Sequence, residues 1–243
     1  MTEYFISPVI ILIMVVGWLV VGGVVLIAVT SQNRRRAALQ EMALSRGWTF
    51  DHERHGRRSA TMLGGQSSGV SWIIEAVYVS SSSSSGSGRS FTRWTTDRVT
   101  LPDEAVFIGP PMGGNMPDSF DVNNRLVRFG LRMTLRALLD EDPGDMSIFD
   151  RVYRVEAGTD TFREHFTVLA TDEAQAQSLA EAVESPLIDW TLGHKRRDMP
   201  TLMFWADGLL MKFNDRILDI ARLDEIVQLG VRLTEAIEGE QGW

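Results

Sequence analysis

Cysteine is absent from the chain, which excludes disulfides, thiolate metal sites and cysteine nucleophiles. Lysine is nearly absent as well: Lys195 and Lys212 are the only two, and arginine carries the rest of the positive charge. A third absence is local. Between Glu3 and Arg34 no side chain is charged, and there is no histidine. Such a stretch offers no axial ligand to a haem or pigment, no proton relay and no ion path. No cofactor is expected anywhere in the chain.

That uncharged stretch contains residues 9–29, which are continuously apolar or glycine and include fifteen Val, Ile or Leu. As a helix rising about 1.5 Å per residue it spans roughly 32 Å, matching a hydrocarbon core of about 30 Å. A cleaved signal peptide needs a basic start, a shorter apolar stretch and small residues at the cut. Residues 1–7 carry no Lys or Arg, and Ala28-Val29-Thr30 is a poor cleavage site. The reading is therefore an uncleaved anchor over residues 8–30. Arg34, Arg35 and Arg36 follow it directly, so the positive-inside rule places the C-terminal part in the cytoplasm and residues 1–7 outside. These three arginines are also the candidate contact to anionic headgroups. Within the span, Gly17, Trp18, Gly22 and Gly23 are the candidates for packing against a neighbouring membrane helix, although they make no GxxxG face.

The remaining chain has ordinary globular composition, with 44% hydrophobic and 23% charged residues overall. Its net charge of −8 is unevenly spread: residues 31–100 hold ten Arg against five acids, whereas residues 101–243 hold fourteen basic residues against twenty-six acids. The basic part is the one next to the anchor, as an anionic leaflet would favour.

Residues 31–47 read as a juxtamembrane helix closed by Gly47, with Leu39, Met42, Ala43 and Arg46 on one stripe. Extended runs follow from Trp48, over 60–63, 70–80, 91–101 and 105–108, with Gly64 and Gly65 expected at a turn. The serine tract over 80–90 reads as a flexible hairpin tip. A helix is expected from Ser119 or Asp121 to about Leu139, and a hairpin around Gly158. Helices over 172–184 and from Ser185-Pro186, a hairpin at Ala206-Asp207-Gly208, and a last helix over 222–238 complete the pattern. Hairpins with segregated helices argue an α+β domain over 48–243, with a sub-boundary at 110–118 as an alternative to one continuous domain.

Candidate chemistry is sparse. Asp51-His52-Glu53-Arg54-His55 has metal-donor types but no helical His spacing, and it reads as a solvated polar turn. Glu164-His165 reads as part of a strand, and no catalytic or metal site is assigned. His194-Lys195-Arg196-Arg197 is the densest basic run beyond the anchor. Lipid phosphate, an acidic partner and nucleic acid are the options for it, beside a merely solvated loop; nucleic acid is not expected.

The segment Leu39-Gln40-Glu41-Met42-Ala43-Leu44-Ser45-Arg46-Gly47-Trp48-Thr49-Phe50, and that from Trp94-Thr95-Thr96 to Leu101-Pro102, resemble a group of bacterial membrane proteins. Those uncharacterised proteins have one or two N-terminal spans and a cytoplasmic α+β domain. The resemblance covers residues 34–110 and, loosely, the tail from Phe166. It implies a bacterial, membrane-tethered, non-enzymatic protein and transfers no active site. The expected role is a non-catalytic accessory subunit at the rim and cytoplasmic face of a larger inner-membrane complex, such as a photosynthetic reaction-centre or respiratory assembly. Its partners would be other membrane subunits and anionic lipid. A membrane-tethered sensor or adaptor is the alternative.

Overall fold

The computed structural model describes residues 30, 33–81, 88–111 and 151–241. The apolar run 9–29 with Gly17, Trp18, Gly22 and Gly23, the helix expected up to residue 139, the acidic stretch 140–144 and most of the serine tract lie outside them. Among the described residues, no helix is long and apolar enough to cross a membrane. The chain divides into two compact units, Met1–Arg46 and Gly47–Trp243.

In the first unit, α1 covers residues 33–45. Leu39, Met42 and Ala43 are buried and fall at helical spacing, while Arg34, Arg35 and Arg36 are exposed. Gly47 lies just past the helix with φ +70°, the left-handed conformation that glycine adopts without steric cost.

The second unit is α+β. Its strands are β1 (Thr49–His55), β2 (Arg58–Ser67), β3 (Val70–Val79), β4 (Arg89–Thr96), β5 (Val106–Gly109), β6 (Tyr153–Val155), β7 (Thr167–Ala170), β8 (Thr201–Trp205) and β9 (Gly208–Phe213). They form one sheet in the order β1-β2-β3-β4-β9-β8-β5-β7-β6, with every neighbouring pair antiparallel. Strands from both sides of residues 110–118 share this sheet. Its helices are α2 (Asp160–His165), α3 (Glu173–Gly193) and α4 (Ile220–Gln241), with a short 3-10 turn at Arg196–Asp198.

The register aligns one apolar row across all nine strands: Phe50, Leu63, Ile74, Trp94, Met211, Leu202, and on through Ile108 and Val168 to Val155. Successive residues of a strand point to opposite faces, so this row lies on one face. That is the helix face. A Cβ on Gly230 of α4 would come 2.4 Å from the Trp94 ring, and Trp190 of α3 lies 5.8 Å from Phe213. The core sits between this face and the buried stripes of α3 and α4, to which Leu179, Val183, Leu187, Leu223, Ile226 and Leu233 belong.

Four local expectations are corrected. Gly64 and Gly65 do not turn the chain but lie within β2. The space above them is taken, since a Cβ on Gly65 would meet the Trp48 and Trp72 rings at 2.7 Å. The β2–β3 turn is made instead by Ser68 and Gly69, with φ of 49° and 80°. The polar segment 51–55 is strand β1 rather than a turn, because its backbone pairs with β2 at every residue. Phe162 to His165 is helical. Thr159 caps α2 by accepting from the Phe162 amide, and the helix is inserted between β6 and β7, which still pair. Ser185-Pro186 does not begin a new helix: α3 runs through it. Pro186 removes one helical hydrogen bond at a cost of about 3 kcal/mol. Burial of Leu187 and Trp190 beyond it, worth about 1.5–3 kcal/mol each, offsets that cost.

Candidate functional site

Apart from isolated ion pairs such as Arg98–Glu238 and Arg163–Asp160, two clusters of charged side chains stand out among the described residues of the second unit. The first is on the sheet face away from α3 and α4. Adjacent to the apolar row, the register aligns Asp51, Met62, Glu75, Arg93, Lys212 and Thr201. Glu75 is buried, with one oxygen accepting from Arg58 at 2.8 Å and the other from Arg93 at 2.5 Å. Lys212 is buried too, its ammonium 4.3 Å from the centre of the Phe91 ring. Both Glu75 oxygens are thus committed to guanidiniums in charge-assisted hydrogen bonds. The cluster cross-links β2, β3 and β4.

The second place joins the end of α3 to the start of α4. The His194 ring stacks on Trp190 at 3.9 Å and its Nδ1 lies 2.9 Å from the Trp190 carbonyl oxygen. The Arg222 guanidinium lies 4.6 Å from the other ring system of this stack, over Trp190. Glu225 accepts from Arg222 at 2.9 Å and lies 3.4 Å from His194 Nε2. The Arg222 hydrogen bond holds the Glu225 carboxyl below its ordinary value; slight burial opposes this, and His194 adds to the lowering. With Nδ1 turned to a carbonyl, Nε2 bonds Glu225 only when the ring carries both protons. The clasp is aromatic stacking reinforced by ions, and it fastens two helices together.

The basic run 194–197 is therefore split. His194 turns inward, whereas Lys195, Arg196 and Arg197 are exposed on the turn that follows α3. Arg34, Arg35 and Arg36 are exposed on α1. His52 and His55 stand on opposite faces of β1, and His52 Nδ1 lies 3.1 Å from the Thr61 hydroxyl. Glu164 and His165 are exposed in and at the end of α2, not on a strand. Among the described residues, no group of three or more His, Cys, Asp or Glu is placed to hold a metal.

Gly65-Gln66-Ser67-Ser68-Gly69 has the GxSxG spacing of a hydrolase elbow. Its setting is wrong for one. The elbow needs a strand, a sharp turn and then a helix, but here the turn leads from β2 into β3, and the Ser67 hydroxyl accepts from Trp72 Nε1 at 3.2 Å. Sequence reading missed Arg58, Glu75, Arg93 and Lys212. The available signal was an isolated charge in an apolar strand, as in Ile73-Ile74-Glu75-Ala76 and Leu210-Met211-Lys212-Phe213.

No family model matches the chain, and neither does any curated protein or solved structure.

Proposed function

We propose that the chain is a non-catalytic, single-pass accessory subunit of a bacterial inner-membrane complex. Residues 9–29 hold it in the bilayer, and the α+β unit stands on the cytoplasmic side. The observation that carries this reading is the chemically featureless apolar run followed at once by Arg34, Arg35 and Arg36, which are exposed on α1. Insertion of fifteen Val, Ile or Leu is favourable by roughly 0.3–0.6 kcal/mol each near the bilayer centre. The three arginines add about 1 kcal/mol apiece at an anionic leaflet. The two charge clusters support a structural role, since the contacts within each join neighbouring strands or helices. The resemblance to membrane-tethered bacterial proteins points the same way.

The test is to solubilise native membranes in mild detergent and follow a tagged chain by native electrophoresis and size-exclusion chromatography. Migration in an assembly much larger than one chain plus its micelle, with co-purifying membrane subunits, is the expected result. A free monomer at every detergent concentration would refute it.

A further inference from the structure

The end of α3 carries the most exposed large apolar side chain among the described residues. Leu192 is 82% exposed on the last turn of the helix. Lys195, Arg196 and Arg197 follow it on the exposed turn, in the half of the chain that is otherwise acidic. The turn is fastened rather than loose. The Asp198 amide donates to the Lys195 carbonyl at 2.8 Å and the Met199 amide to the Arg196 carbonyl at 3.3 Å. Trp190 Nε1 donates to the Asp198 carbonyl at 3.1 Å, the His194 ring lies on Trp190, and Met199 is buried. Leu192 and the three basic side chains therefore project from a backbone that is already ordered.

The charges on this turn are only partly answered. Arg197 lies 3.7 Å from Asp198, and Arg196 donates to the Pro111 carbonyl at 3.4 Å, which is a neutral group. Glu225 is turned to Arg222 and His194 instead. A helix dipole favours basic residues within the last turn, which in α3 holds none, so it accounts only weakly for the three that follow. It does not account for Leu192.

We infer that Leu192 with Lys195, Arg196 and Arg197 is a docking patch for an anionic lipid surface. This deepens, and rests on, the reading of the chain as membrane-anchored. A leaflet presents a plane of phosphates with apolar chains just beneath. Long basic side chains can meet the phosphates without fixed geometry while the leucine enters the boundary. Three basic residues fall short of the roughly four to eight that mark a free-standing anionic-lipid site. On a chain already tethered to the bilayer, high effective concentration makes such a weak patch sufficient.

The absence of cysteine makes the test clean. Full-length Leu192→Cys is labelled with an environment-sensitive fluorophore and reconstituted into phosphatidylcholine vesicles with and without phosphatidylglycerol. The same vesicles are washed with carbonate to report anchoring independently. A blue shift and brighter emission are expected only with phosphatidylglycerol. Raised salt should reverse the change, and the variant also carrying Lys195→Gln, Arg196→Gln and Arg197→Gln should lack it. A silent probe on chain that survives the carbonate wash overturns the patch and leaves the anchor standing. Chain lost in the wash overturns both. A shift that needs native membrane proteins, and not phosphatidylglycerol, assigns the patch to an acidic protein and overturns the lipid assignment.

Discussion

Glu75 shows how much a single side chain can hold. Its side chain is 7% exposed and that of Arg93 is 19% exposed, so removing the carboxylate leaves a poorly hydrated cation in the sheet. Glu75→Leu is expected to destabilise the protein by about 2–4 kcal/mol, read as a lower urea midpoint at unchanged slope. Arg58 is over a third exposed and contributes little to that figure. Combining Glu75→Leu with Arg93→Leu should cost clearly less than the two singles added, because the second change removes the stranded charge. Additive losses would show that the pair is not coupled. Glu225 sets a pH dependence. Its folded pKa is lowered, so its stabilisation is present above the unfolded glutamate value of about 4.3 and is lost as pH falls through the lower folded value. The difference in Tm between wild type and Glu225→Gln should therefore shrink between about pH 6 and about pH 3. A constant difference would mean that the Arg222 and His194 contacts do not bias the carboxyl.

At the scale of elements, two glycines of α4 separate packing from propensity. A Cβ at Gly230 would come within 2.6 Å of three atoms of the Trp94 ring, whereas Gly239 has open space around it. Gly230→Ala should destabilise by about 1–3 kcal/mol through overpacking. Gly239→Ala should stabilise by about 0.5–1 kcal/mol through helix propensity. Thermal melts of both variants check this, and equal effects would contradict the packing of α4 on the sheet. The same comparison explains what could be read from sequence. Strands at 70–80 and 201–213 and the last helix follow from β-branched runs, turn residues and a 3.6-residue apolar stripe, all local signals. Gly64-Gly65 and Ser185-Pro186 misled because their neighbours in space decide their conformation: two tryptophan rings over one, buried Leu187 and Trp190 beyond the other. Asp51 to His55 misled because charged residues are acceptable in a strand at the edge of the sheet. There they discourage pairing with other chains.

At the scale of the whole molecule, the candidate sites depend on register. Glu75, Arg93 and Lys212 come together through strands up to 137 residues apart, as the Glu75↔Arg93 and Arg93↔Lys212 pairings bring each strand alongside the next. No single-strand pattern announces that. The basic run at 194–197 was visible as composition, but its division into an inward His194 and an outward trio needed Trp190 in place. The proposed anchor is the reverse case: it rests on a local apolar run and its flanking charge, and that run lies outside the described residues. On that proposal Arg34, Arg35 and Arg36 set the orientation, and their joint replacement by Gln should weaken it while insertion persists on the apolar run alone.

The most direct measurement is a pair of fusions after Trp243, one reporter active only in the cytoplasm and the other only in the periplasm, made in the full chain. A membrane anchor of the proposed orientation gives signal from the first and silence from the second, with the chain in the carbonate-resistant membrane fraction. A periplasmic signal, or a chain washed free of the membrane, would contradict it.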